Sequence, residues 1–266
     1  MPVAWKILRA TAKPPWRPEW QALLKPFQGV VPKGWTVIVL TDRGLYAKWL
    51  FEAIVALGWH PLLRVNQQGR FRPQGWYHWV PFTTFVPHMG RRWAGQGTAF
   101  RSPPARLECT LLGYWGSGHQ EPWLLLSDLP PVAASACWYG MRAWIEQGFK
   151  RLKRGGWQWQ ATRMDDPARA ERLWLAIALA TWWLLSVGGE AEADLPEATL
   201  LPLPGAARQS RRGWRLMGIF RRGWHLILAA LLNHQPLPFG HGRPEAWPTI
   251  PLAESCPPLL EPAESG

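Results

Sequence analysis

The chain has 266 residues, with 30 Lys+Arg against 18 Asp+Glu and a formal net charge of +12; its isoelectric point is near 10.4. That length is ample for one large domain with an insertion, and 47% hydrophobic residues exclude general disorder. The charge predicts a polyanionic partner, with nucleic acid ahead of an acidic membrane surface.

Residues 2–9 (PVAWKILR) alternate loosely and predict a strand. Trp16 to Phe27 follows a Pro-Pro pair and places Trp20, Leu23, Leu24 and Phe27 at helical spacing. Residues 35–40 (WTVIVL) are a continuous apolar, β-branched run of the kind found in buried parallel strands. The run ends at Thr41-Asp42-Arg43-Gly44. Leu45 to Leu57 is helical by period and stops at Gly58, and Pro61 to Val65 predicts the next strand. This is a strand–helix–strand unit with Asp42 at the carboxyl end of its first strand, where open α/β sheets place their sites.

From residue 66 to 122 glycines and short aromatic runs take over, predicting a β-rich insertion. Trp123 to Ser127 (WLLLS) returns to a buried strand and closes at Asp128. A long helix is predicted over about 135–154 and a second over about 166–186, with Asp166-Pro167 as its cap and first-turn pair. Leu173 to Gly189 carries no charge, at the bottom of the membrane-spanning range; a core helix is the better reading, with no membrane partner. An acidic, then Pro/Leu-rich linker leads into a basic helix over about 208–232. The tail from Gln235 is Pro-rich and expected to be disordered. Cys109, Cys137 and Cys256 lie far apart without C-x-x-C spacing, which disfavours a disulfide scaffold or zinc ribbon and fits a reducing cytosol.

The predicted helix from 135 carries the chemistry. With Arg142 at zero and about 100° per residue, Tyr139 falls at about 60°, Glu146 at about 40° and Lys153 at about 20°. One stripe thus holds a phenol, two cations and a single carboxylate, while Met141, Trp144, Ile145 and Leu152 fall on the other side, free to pack on a sheet. Such a stripe suits phosphates and metal. Phosphodiester chemistry needs an activated oxygen nucleophile and a neutralised leaving oxygen, a task for two Mg²⁺ held by carboxylates. Asp42 and Glu146 are the candidate catalytic and metal-ligating residues, binding Mg²⁺ or Mn²⁺. Arg142, Lys153 and Lys150 are candidate phosphate contacts, with Tyr139 beside the reacting strand. The acid-free run that includes Arg211 and Arg212 adds a second candidate DNA contact. Competing structural readings exist: Asp42 in an Asx-turn with Arg43-Gly44, Glu146 as an i,i+4 partner of Arg142 or Lys150, Asp128 as a turn former. Among the tryptophans, Trp76, Trp79, Trp93 and Trp115 compete between packing and stacking on a base.

The spacing Tyr139-x2-Arg142-x3-Glu146-x6-Lys153 matches in full the Y-R-E-K signature, and so resembles bacterial DDE transposases of the insertion-sequence-four type. VIVLTDRG around Asp42 resembles the segment of that family's second catalytic Asp, and WLLLSDLP the strand preceding its glutamate helix. The resemblance covers about residues 1–190. It implies an α/β, ribonuclease H-like fold, with residues 1–65 and 123–189 as its two parts, 66–122 as an inserted β-rich subdomain, 190–234 as linker and basic helix, and 235–266 as tail. It also implies Mg²⁺-dependent cleavage and strand transfer on double-stranded transposon ends, a homodimer at synapsis, and a bacterial cytoplasmic, nucleoid-associated location. The family uses three carboxylates, yet before Asp42 the only acid is Glu19. The expectation is therefore a partial core with its first strands missing, truncated at the amino end, residues 2–9 standing as the family's third strand. Such a chain would be inactive alone. The alternative is a catalytically inert DNA-binding remnant.

Overall fold

The computed structural model describes residues 3–9, 11, 15–194 and 217–242. These fall into two compact units: one holds residues 15–144, the other residues 3–11 and 145–242.

The first unit is built on a seven-stranded sheet. Helix α1 (Trp16–Leu24) precedes strand β1 (Ile38–Thr41), helix α2 (Lys48–Ala56) and strand β2 (His60–Arg64). Strands β3 (Arg70–Pro73), β4 (Val80–Pro81), β5 (Arg92–Ala99), β6 (Leu107–Tyr114) and β7 (Trp123–Ser127) follow. Their order is β1-β2-β7-β6-β5-β3-β4. Only β1 and β2 run parallel, with Ile38 opposite His60 and Thr41 opposite Leu63, as the strand–helix–strand pattern predicted. Every other pairing is antiparallel. The inserted strands β3–β6 extend the same sheet, because β7 lies between β2 and β6.

Continuous apolar runs make sense here because both faces of the sheet centre are covered. Along β2, Leu63 packs with Leu50, Phe51 and Ile54 of α2, while Leu62 turns to the opposite face. Along β7, Leu124 and Leu126 join the first cluster and Leu125 the second. Leu111 and Leu112 of β6 divide the same way. The second face is closed by Trp138 and Tyr139. Each such leucine contributes about 1.5–3 kcal/mol by leaving water, so this alternation fixes the register.

The predicted helix over 135–154 is three pieces. Residues Ala136–Met141 form a 3₁₀ segment, Arg142–Lys150 form α3, and Arg151–Gly155 form a π-turn. Ser135 caps the first piece, accepting from Cys137 N–H at 3.2 Å. Trp144 and Ile145, expected to pack, are 52% and 48% exposed.

In the second unit, α4 (Pro167–Ala193) and α5 (Ile219–Leu232) pack together. Asp166 caps α4 as predicted, its Oδ1 accepting from Ala168 N–H at 2.9 Å, and Pro167 opens the first turn. The helices cross through glycine. A Cβ on Gly188 would collide with the Ile219 carbonyl, and one on Gly223 with the Leu184 carbonyl. By length and composition α4 is apolar enough to cross a membrane, and eight of its residues are buried within the protein.

Residues 3–9 form no strand. They lie against α4 instead, with Trp5 Nε1 donating to the Glu171 carbonyl at 3.3 Å and Ile7 N–H to the Glu171 carboxylate at 3.1 Å. A side chain thereby takes a bond that a neighbouring strand would have made. The expected basic helix is described only as α5; Arg208, Arg211, Arg212 and Arg215 lie outside the described residues, as do most of the linker and the tail from residue 243.

Candidate active site

Asp42 stands at the carboxyl end of β1, exposed to solvent. Its Oδ1 accepts from Gly44 N–H at 3.0 Å, the Asx-turn expected of an Asp-x-Gly sequence. A Cβ at residue 44 would sit 3.3 Å from that oxygen, so glycine keeps the turn tight. The other carboxylate oxygen faces Arg142 Nη2 at 3.8 Å. The structural reading of Asp42 is thus satisfied by one oxygen, leaving the second towards the cation.

Tyr139 and Arg142 are three residues apart across the end of the 3₁₀ segment, where i and i+3 side chains eclipse. Tyr139 is 2% exposed, so it lies beneath the surface. Trp123 meets its ring edge-on at 5.2 Å between centroids, and the Arg64 guanidinium lies over it at 5.6 Å. Burial pushes the phenol above its ordinary value; Arg64 and Arg142 pull it back, Asp42 pushes it further. Its hydroxyl finds no partner at hydrogen-bonding geometry. Arg64 comes near enough to act on it as a donor, as well as through charge.

Arg64 and Arg43, which the sequence reading passed over, meet at one carboxylate. Glu121 accepts from Arg64 Nη2 at 3.0 Å through one oxygen, and through the other from Arg43 Nη1 at 2.8 Å and Gln67 Nε2 at 3.2 Å. The two pairs differ in environment. Arg64's side chain is 14% exposed and Arg43's 49%. An exposed pair contributes about 0–1 kcal/mol, whereas stripping the partner from a buried charge costs about 3–5 kcal/mol. Arg43 was readable as the residue after Asp42. Glu121 was not, being 57 and 78 residues from its partners.

Glu146 and Lys150 are exposed on α3, and Lys153 is exposed in the π-turn. Arg142 and Glu146 keep α-helical spacing. Tyr139 and Lys153, in tighter and looser turns, leave the angles of a uniform α-helix. Asp128 does not form the expected turn through its side chain: its Oδ2 pairs with His60 Nδ1 at 2.9 Å. Trp93 packs on Phe85 at 4.2 Å and is 9% exposed, which removes it as a stacking surface. Trp115 donates to the His119 carbonyl. Trp79 lies beneath the guanidinium groups of Arg72 and Arg106. Trp76 lines a cleft of about 540 Å³ with Arg72, Gln96, Glu108 and Thr110. Among the described residues no three His, Cys, Asp or Glu side chains gather as a metal cage.

A seven-stranded, mostly antiparallel sheet with one parallel strand–helix–strand unit and flanking helices defines a mixed α/β protein. The chain belongs to the transposase DDE domain family, whose model matches residues 4–183. Membership implies a ribonuclease H-like fold, transposition-related nuclease activity, binding to DNA and, for the family in general, divalent metal ions. Neither a curated protein nor a solved structure matches the chain.

Proposed function

We propose that this chain is a DDE transposase domain of the Y-R-E-K insertion-sequence type, in which Asp42 and Glu146 are carboxylates for Mg²⁺ or Mn²⁺. The observation that carries the reading is Asp42 at the end of β1 with Arg142 3.8 Å from its outer oxygen, within the family match. The ion's chemistry is to activate the attacking oxygen and neutralise the leaving one. An exposed carboxylate whose outer oxygen makes only a long contact with Arg142 suits a hard cation that keeps most of its water. The chain's own residues bind and orient. Arg142, Lys150 and Lys153 hold phosphates of a transposon end, joined by Arg211 and Arg212 from the basic run. The partner is double-stranded DNA, with a homodimer at synapsis, in the bacterial cytoplasm. Domain limits follow the family pattern, residues 66–122 being the insertion.

A second reading, a DNA-binding remnant without turnover, is favoured by one fact: Glu19 is the only acid before Asp42. Both readings share DNA binding, which an equilibrium titration tests. The protein should bind duplex DNA with a steep salt dependence, since each neutralised phosphate releases a counterion. Arg142→Ala with Lys153→Ala should reduce the magnitude of the log K against log salt slope by about 1 to 2. An unchanged slope in the folded double variant takes these residues off the DNA face. Metal is tested separately: Mn²⁺ relaxation enhancement should show a weak, roughly millimolar site that is lost in Asp42→Asn and in Glu146→Gln.

A further inference from the structure

The geometry points to Arg43 as an additional DNA-phosphate contact at the carboxyl end of β1, where the Glu121 carboxylate stands in for the phosphate in the free protein. This rests on the DNA-binding reading above. One carboxylate serves two guanidinium groups at 2.8 and 3.0 Å, so the network carries one positive charge more than Glu121 neutralises. The two arms are unequal. Arg64 is mostly buried, braced over the Tyr139 ring, and its charge depends on Glu121. Arg43 is half exposed, adjoins Asp42, and gains little from an ion pair in water. When an anion arrives, Arg43 is the arm that lets go. A phosphodiester accepts a guanidinium at least as well as a carboxylate does, through two parallel N–H···O bonds, and Glu121 stays bonded to Arg64. In the free protein Glu121 therefore occupies the place of a phosphate beside Asp42.

The test is the salt dependence of binding to a labelled mixed-sequence duplex, measured on the full chain and its variants. Arg43→Ala should lower the slope magnitude by about 1, and Arg43→Lys should retain it. Glu121→Gln should raise both slope magnitude and affinity, because Arg43 is released from its internal partner. The double variant Glu121→Gln/Arg43→Ala should bind as Arg43→Ala does. A purely structural Glu121 predicts the opposite: weaker binding in Glu121→Gln that is indifferent to Arg43. If Glu121→Gln does not fold, the Arg43 pair still decides. A slope unaltered by Arg43→Ala but lowered by Arg142→Ala overturns this assignment alone. Failure of the unaltered chain to bind any duplex overturns the DNA-binding reading and this assignment with it.

Discussion

At the scale of single residues, two buried acids tie stability to alkaline pH. Burial raises the Cys109 thiol from 9.0 to about 12, and it raises the Tyr139 phenol as well. Both groups hold their protons longer in the folded chain than in the unfolded one. Their contribution is therefore whole at neutral pH, begins to fall once the unfolded thiol ionises, and is lost as pH rises through the folded value. For the thiol that window runs from about 9 to about 12, with a slope approaching about 1.4 kcal/mol per pH unit. Urea unfolding at stepped pH should show this decline, and Cys109→Ala should flatten it at some cost in neutral-pH stability. Tyr139 makes a complementary case. Its buried hydroxyl has no partner at full hydrogen-bonding geometry, although Arg64 lies close by, and a bond left unmade there costs about 1–3 kcal/mol. Tyr139→Phe should thus be neutral or stabilising by about 1 kcal/mol at pH 7. A loss of more than that would mean the hydroxyl has a bonding partner in solution.

At the scale of elements, patterns set by neighbours along the chain were legible, and those set by distant partners were not. The β1–α2–β2 unit, strand β7 and the Asp166-Pro167 start of α4 all follow from local chemistry, and all are present. Residues 3–9 alternate like a strand, yet Glu171 bonds their backbone from α4. No local pattern announces that. The helix from 136 failed as a uniform α-helix because periodicity reports which residues face the same way, not how tightly each turn is wound. The first turn winds as 3₁₀ and buries Trp138 and Tyr139 on the sheet, and the last opens into a π-turn. Of the candidate site, Asp42 and Arg142 were readable from spacing; Arg64 and Glu121 depend on the fold bringing β2 and the approach to β7 together. The glycine crossing of α4 and α5 was equally silent in the sequence. Gly223→Ala places a methyl group against the Leu184 carbonyl, backbone that has no rotamer with which to yield. Forcing the helices apart should cost about 1–3 kcal/mol, read as a lower urea midpoint. A stabilised Gly223→Ala would mean that the crossing is looser than described.

At the scale of the whole molecule, charge and acid supply point in different directions. A net charge of +12 favours association with DNA at near diffusion-limited rates and at many sites. Carboxylates suited to metal are few by comparison. Aspartate occurs only at 42, 128, 165, 166 and 194. Asp128 is paired with His60, and Asp166 caps a helix. On the proposed reading, Asp42 and Glu146 are the carboxylates for chemistry. Two-metal catalysis fixes its ions about 3.5–4 Å apart, and a carboxylate shared between them is the usual means of holding that spacing. With Asp42 and Glu146 as the proposed ligands, each ion would keep most of its water and neither would be fixed in position. The expected outcome is binding without cleavage. Incubated with supercoiled plasmid and with terminal-repeat duplex, in Mg²⁺ and then in Mn²⁺, the 266-residue chain should shift both substrates in a gel and nick neither. Mn²⁺ is the stricter condition, since it tolerates a poorer ligand set than Mg²⁺ does. Nicking that depends on metal and disappears in Glu146→Gln would show that another residue completes the ligand set, and Glu19→Gln would then be the first variant to examine.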